Sequence, residues 1–414
     1  MIAPYGVRYY GGGDLSGYGQ AAVANVRALV NAGVPVEWVP LKWTPDRLIP
    51  GQWHDHEGKP RPVLTAKGSA LADVATLVER TRRPIDPDVV IAHAPPESWP
   101  GLFCSNSFNI GCTVWETSRT PAHWRALMAR ADAIAVPSEF NRRVFQAALP
   151  QQRVALLPHI RRHTWNDYTP TEIRQARDDL GIPEDHRVFY TISTWDPRKD
   201  LPELIELFAR AFRAESPVTL LVKTNAAGTD AGPHFRQRQT QTLAADVVSG
   251  IGRELGREPP NIILNTDQLD SAELDMIHAI GDVYVTVSHG EGFGLGAFEA
   301  ATRATPVLAP AWGGQTDFLG DEWPGALPFR MTQVPLWPPH RPSYFPSQRW
   351  ASVDTEAAVE RMRSVFSDPA PFEREARAIR EQIVERFAEP VIAGQWLELI
   401  EHALADRAAS EPAP

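Results

Sequence analysis

Short apolar runs alternate with helix-length amphipathic segments along this chain, and the alternation runs, stops and starts again. That pattern constrains the fold more than any single motif does. A strand that is followed by a covering helix before the next strand builds a parallel sheet. The first series opens with "VRYYGGG" leading into "DLSGYGQAAVANVRALVNAG", where Val23, Val26, Leu29 and Val30 recur at helical spacing and Gly33 closes the helix. Strands are expected at 34–39, 89–94, 109–114, 133–136 and 154–157, with helices at about 69–81, 121–130 and 138–147. A polar passage at 160–185, with Pro170 and Pro183, reads as a linker. The second series places strands at 188–193, 218–223, 262–264, 283–287 and 307–309, and helices near 200–213, 234–254, 271–279 and 296–303. Helices around 354–366, 371–387 and 390–406 follow with no strand after them, and the proline- and aromatic-dense stretch 334–350 reads as a fixed loop covering a face. Since 414 residues exceed the ~250–300 that one core sustains, the expected fold is α/β, two Rossmann-like domains facing each other across a cleft. Residues 1–165 form the first and 186–385 the second, and the C-terminal helix at about 388–408 packs back on the first.

Composition narrows the partners. With 43% hydrophobic and 22% charged residues the chain is an ordinary globular protein, and a net charge of −10 disfavours a long polyphosphate partner. Cys104 and Cys112 are too few for a disulfide framework and lack the second pair of a zinc site, so both are expected to be free thiols in a reducing cytoplasm. The N-terminus has no basic flank before an apolar run, and no apolar stretch reaches about 18 residues. Neither export by that route nor a transmembrane segment is expected, and the localisation read from the sequence is cytoplasmic.

The chemistry concentrates in "SHGEGFGLGAFEA", 288–300. This stretch joins an apolar strand to a helix through Gly292, Gly294 and Gly296, with Phe293 and Leu295 between them and Glu291 and Glu299 on either side. Such a junction presents unpaired backbone N–H groups and the positive end of a helix, where a phosphate or diphosphate sits. It is not a dinucleotide fingerprint: the spacing is G-x-G-x-G, it lies late in the chain, and it carries acids where that fingerprint has none. Glu299, in the first turns of the helix, is placed to accept hydrogen bonds from vicinal hydroxyls. Glu291 lies on the other side of the phosphate position. The two acids therefore bracket a ligand with hydroxyls at both ends, as a nucleotide sugar has. The plainer alternative is a tight strand-to-helix turn with solvated acids.

"EGFGLGAFE" resembles the E-x7-E signature of retaining glycosyltransferases of the family 4 type, which have the GT-B fold. "PVLAPAWGGQTDFLG", "ADAIAVPSEFNRRVF", "VALLPH" and "STWDPRKDLPELIELFARAF" resemble further segments of that family in the same order, so the likeness covers nearly the whole chain. It implies transfer of a sugar from a nucleotide diphosphate sugar to an acceptor hydroxyl with retention of configuration and no required cofactor or metal. A UDP-sugar is the expected donor and a GDP-sugar the alternative, although no residue identifies the base. Lys199 and Arg198 take the place of the family's cations beside the leaving diphosphate, where a charge that grows in the transition state needs one. The usual Arg five positions before that Lys is Thr194 here. The resemblance also implies that Gly13 and Gly17 approach the donor phosphate, and that His93 contacts a hydroxyl or the acceptor. In the same way Trp115 and Glu116 form the acceptor side, and Lys223, Asn225, Gln268 and Leu269 lie where the base is read.

Two strings have metal-ligand types. "HDHE", 54–57, lacks the helical pairing of a zinc protease, and the Asp86-x-Asp88 string stands between prolines before a strand and reads as a turn. A sugar-nucleotide 2-epimerase, a non-catalytic sugar-nucleotide binding protein and a dehydrogenase are the alternative functions. The acceptor stays open among a glycan, a lipid, a small molecule, a protein and a modified nucleic-acid base.

Overall fold

The strand–helix alternation is realised twice in the computed structural model, which describes all residues except 1–2, 45–46, 62–68, 163–164, 226–232, 337–342 and 411–414. The side chains of 43, 69–73, 233–238 and 410 are also outside the described set. The chain divides into two units. Unit 1 comprises 1–161, 335–345 and 385–414, and unit 2 comprises 162–334 and 346–384. Part of the expected loop 334–350 therefore lies outside the described residues.

Unit 1 is built on a seven-stranded sheet in the order Leu48–Pro50, Val36–Trp43, Val7–Gly11, Val89–His93, Phe108–Cys112, Ala133–Val136, Val154–Leu156. Only the pairing of Leu48–Pro50 with Val36–Trp43 is antiparallel. The central strand "VVIAH" is buried at every position, which fits a parallel strand covered on both faces. Ser16 caps the first helix, Gly17–Asn31, by accepting from the Gly19 amide at 3.1 Å, and Gly33 leaves it with φ +87°. The closing helix Glu389–Ser410 contributes Ile392, Trp396 and Ile400 to the same core as Val7, Tyr9 and Val89. Their spacing of four residues puts them on one helical stripe, and each buried side chain contributes about 1.5–3 kcal/mol of transfer free energy. Glu389 ties the helix start to the first helix through Arg27 Nε and Asn31 Nδ2, both at 2.8 Å.

Unit 2 has a six-stranded sheet in the order Asn261–Asn265, Val218–Lys223, Arg187–Ile192, Val283–Val285, Val307–Pro310, Ala326–Leu327, parallel throughout. Its core gathers Phe189, Phe208, Leu220, Val222 and Val285, with Met362 from the helix Thr355–Ser367. Two expectations need correction. The passage read as a linker contains a helix, Pro170–Asp179, closed at its start by a capping box between Thr169 and Glu172. It buries no residue fully, and its apolar stripe is only the half-buried Ile173, Ala176 and the C-cap Leu180, too short to stand out in a polar passage. The end of the stretch read as a covering loop is a strand, Arg349–Val353, in an antiparallel hairpin with Phe329–Gln333. Among the described residues no helix is long and apolar enough to cross a membrane.

Candidate active site

Ligands of open parallel sheets bind beyond the carboxyl ends of the strands, where the strand order reverses. In unit 2 that reversal falls between Arg187–Ile192 and Val283–Val285. The loop leaving the first of these strands carries Arg198 and Lys199, and the loop leaving the second carries Glu291 and the three glycines. In unit 1 the reversal falls between Val7–Gly11 and Val89–His93. The segments leaving those strands carry Gly13 and Gly17, and His93 itself ends the second. Sheet topology thus collects the expected site residues within each unit.

The glycine loop is shaped by close contact. Gly294 has φ +91° and, as the N-cap of the helix Leu295–Thr302, has no side chain to offer the first-turn amides. A Cβ on Gly314 would overlap the Gly292 carbonyl oxygen, and the Gly314 amide donates to the Glu291 carbonyl at 2.8 Å. The double glycine at 313–314 is therefore the bed on which the 291–293 turn rests. Phe293 is 3% exposed and packs on Phe298 and Phe318, so it anchors the loop and offers a ligand only its backbone.

Lys199 Nζ lies 2.5 Å from Glu291 Oε1, and Arg198 Nη1 lies 3.6 Å from Glu291 Oε2 while donating to the Gly290 carbonyl at 2.5 Å. Burial pushes the Glu291 carboxyl up, but Lys199 and Arg198 outweigh it, and the pKa falls below the ordinary value. Two cations and one carboxylate thus share the mouth of the glycine loop. His289 braces this arrangement. Its amide donates to the Arg198 carbonyl at 2.8 Å, Nδ1 meets the Ala351 carbonyl at 2.6 Å, and Nε2 meets Asp200 Oδ2 at 3.1 Å. Its ring stacks on Trp350 at 4.5 Å. A carbonyl and a carboxylate both accept, so the geometry calls for a proton on each ring nitrogen. Burial lowers the His289 pKa, yet the bonds to Asp200 and Ala351 raise it overall. Asp200 adopts φ +44° and ψ +53° and caps the helix Leu201–Ala211 by accepting from the Glu203 amide.

Glu299 has partners that the sequence does not reveal. Its Oε1 lies 3.6 Å from Arg162 Nε and its Oε2 lies 3.5 Å from His278 Nε2. Burial acts to raise the Glu299 pKa, and His278 and Arg162 bring it below the usual range. Arg162 also pairs with Asp275, and His278 Nδ1 meets the Tyr190 hydroxyl at 2.9 Å. Trp165 has the Arg162 and Arg303 guanidinium carbons each 4.9 Å from its ring centroid. Glu299 is 17% exposed within this network.

Among the residues expected at the base, Lys223 is 6% exposed and its Nζ donates to the Thr224 carbonyl at 3.3 Å. Burial lowers its pKa against the pull of Asp267. Its ammonium faces inward, whereas Asn225 and Gln268 are exposed and Leu269 is half-buried.

In unit 1, His93 is 4% exposed, with Nδ1 2.7 Å from the Tyr9 hydroxyl and its ring 5.3 Å from that of Tyr18. Burial, then His159, pushes its pKa down to about 3. Gly13 is buried against Trp53, whereas a Cβ on Gly17 would meet nothing within 4 Å. Trp115 is 4% exposed, its indole N–H is 2.7 Å from both Thr117 Oγ1 and the Arg119 carbonyl, and its ring packs against Trp124 and Tyr344. Glu116 beside it is half-buried and accepts from the Tyr344 hydroxyl at 3.2 Å.

Of the two strings with metal-ligand types, 54–57 lies in a turn and Asp86–Asp88 is an irregular lead into the strand Val89–His93. Asp55 accepts from the amides of Glu57 and Lys59, and Asp88 accepts from the Gly6 amide. Among the described residues Asp200, Glu203 and His289 bring ligand atoms within 4.8 Å of one another. Both His289 nitrogens are already engaged with acceptors, and Glu203 is pushed up to about 7 by burial and by Asp200. That is the chemistry of a protonated cluster and a poor fit to a cation.

The two parallel-sheet α/β units are those of the GT-B fold. The chain is similar in fold to sucrose-phosphate synthase from Thermosynechococcus elongatus, with a TM-score of 0.63 and 18% identity over 97% of this chain and 100% of that one. It is likewise similar to Anabaena Alr3699/HepE in complex with UDP and glucose, with a TM-score of 0.60 and 13% identity over 96% and 100%. Residues 213–394 match the family described as "Family 4 Glycosyltransferase in conflict systems". The match contains Glu291, Glu299 and the glycine loop. A D-inositol 3-phosphate glycosyltransferase of Kineococcus radiotolerans is 29% identical over 248 residues, 59% of this chain and 51% of that protein. The matches to the first curated relatives span 34–51% of those proteins' length.

Proposed function

We propose that the protein is a retaining glycosyltransferase that moves a sugar from a nucleotide diphosphate sugar to an acceptor hydroxyl. The observation that carries this reading is the meeting, at the switch point of unit 2, of a helix start with no side-chain cap and the Lys199–Glu291–Arg198 group. The diphosphate lies on the first-turn amides of Leu295–Thr302 and on Lys199, Glu299 takes the ribose hydroxyls, and Glu291 takes the sugar. Asn225, Gln268 and the backbone near Leu269 read the base. In unit 1, His93 and Glu116 serve the acceptor.

In the transfer the bond from the anomeric carbon to the phosphate oxygen breaks, and a bond from the same carbon to the acceptor oxygen forms on the same face. The acceptor proton leaves with the departing phosphate. Negative charge grows on that phosphate, and the Lys199 ammonium and helix amides stabilise it without a metal. A UDP-sugar is the first donor to test, since Alr3699/HepE is described with UDP and glucose.

Release of nucleotide diphosphate from UDP-, GDP- and ADP-sugars, with and without a panel of hydroxyl acceptors, tests the proposal. One donor should be consumed, and Lys199→Ala should lower its turnover about 10²–10³-fold, the size of effect of removing one group that stabilises developing charge. Donor epimerised without release of nucleotide would favour the epimerase. Wild-type turnover retained in Lys199→Ala would contradict the assignment of the leaving-group cation.

A further inference from the structure

A chain of hydrogen bonds runs through the core of unit 1 and ends on His93. Trp396, fully buried on the closing helix, has an indole N–H that can only donate, and it does so to Asn25 Oδ1 at 3.3 Å. That contact settles which end of the Asn25 amide is oxygen. The other end, Nδ2, therefore donates to the Tyr9 hydroxyl oxygen at 3.2 Å. Tyr9 is 0% exposed, and its hydroxyl has one further neighbour among the described residues, His93 Nδ1 at 2.7 Å.

Two arrangements of that last contact are possible. If His93 donated from Nδ1, the Tyr9 oxygen would accept twice and its own proton would be left in the core with nothing to bond. A buried donor without a partner is the costly outcome. If Tyr9 donates instead, every group in the chain is satisfied. His93 Nδ1 then carries no proton, Nε2 carries one, and Nε2 has no hydrogen-bond partner among the described residues.

We propose that Trp396, Asn25 and Tyr9 form a positioning relay that fixes His93 as the Nε2–H tautomer, so that His93 acts in the transfer as a hydrogen-bond donor to a substrate oxygen and not as a base. The role in transfer rests on the glycosyltransferase reading, whereas the tautomer does not. Other titratable groups around the ring agree with a neutral imidazole. Tyr18 lies beside it with its hydroxyl on Thr113 Oγ1, burial raises the pKa of Cys112 on the neighbouring strand to about 12, and burial lowers that of His159 to about 4. None of them supplies a charge that would stabilise a second proton on His93. The relay also gives the closing helix a function at the site, because it carries the residue that sets the direction of every later bond.

The test is two-bond 1H–15N correlation spectroscopy on the full chain labelled at histidine nitrogen, with turnover measured in parallel. His93 should show the Nε2–H tautomer alone and stay unprotonated from pH 5 to 8. Tyr9→Phe keeps the volume and removes the donor to Nδ1. The Nδ1–H form should then appear, with kcat at least tenfold lower and the donor KM changed less than threefold. Asn25→Asp at pH 8 should draw the Tyr9 proton to the new carboxylate and invert the tautomer to Nδ1–H. An Nδ1–H tautomer in the wild type, or protonation near pH 6.5, would overturn the relay even if both variants failed to fold. Unaltered kcat in Tyr9→Phe would overturn the role in transfer. The expected tautomers in a protein that consumes no nucleotide sugar would sink the glycosyltransferase reading and leave the relay standing.

Discussion

His93 and His159 show how surroundings decide what a residue type does. Burial holds their pKa values at about 3 and about 4, against 6.5 for an exposed imidazole. Each is neutral in the folded chain at a pH where the unfolded chain binds a proton. The sign follows from that difference. Above pH 6.5 neither residue affects stability, and as pH falls below it the unfolded state gains protons first and stability drops, by about 1.4 kcal/mol per pH unit for each histidine. Between pH 7.5 and 5 the His93 share is therefore about 2 kcal/mol. Urea unfolding of wild type and His93→Gln at both pH values checks this. The variant should lose about 2 kcal/mol less than the wild type on acidification. Equal losses would mean that His93 is not held neutral.

At the scale of elements, the site is two turns resting on one another. The 291–293 turn lies on Gly313–Gly314, with so little space that a Cβ at Gly314 would overlap a carbonyl oxygen. Gly314→Ala must push the turn away, at a cost of about 1–3 kcal/mol or more, typical of forcing atoms into a packed site. Denaturant unfolding should show that loss, together with a weaker response to nucleotide than wild type. A variant as stable as wild type would contradict the packing. Much of this is legible in the sequence, because period and punctuation are local signals. The strands at 133–136 and 218–223 and the helix at 69–81 have the bounds that apolar periodicity gives. The helix Pro170–Asp179 has too short a stripe to stand out by periodicity, with Ile173 and Ala176 only half-buried, yet "TPTE" carries its capping box and a proline at the first turn. Glu299 shows the other limit. Its place after the glycines follows from spacing, but Arg162 and His278 reach it from distant parts of the chain, and no local pattern encodes such a meeting. His289 is hidden for the same reason, as its partners Asp200 and Ala351 are 89 and 62 residues away.

Across the whole molecule, one plan is used twice. Each unit sets its candidate groups at the point where its own sheet reverses order, and the closing helix Glu389–Ser410 completes the core of unit 1 rather than unit 2. In the proposed function the glycine loop, Lys199 and Glu299 of unit 2 together hold a nucleoside diphosphate. Thermal unfolding of wild type and Glu299→Ala with UDP, GDP and ADP, each variant compared with itself without nucleotide, decides whether they do. For one nucleotide at 100 times its dissociation constant the wild type should gain about 2.7 kcal/mol, roughly 5–10 °C for a unit of this size, and Glu299→Ala should lose most of the gain. No shift with any of the three, or an equal shift in the variant, would contradict that assignment.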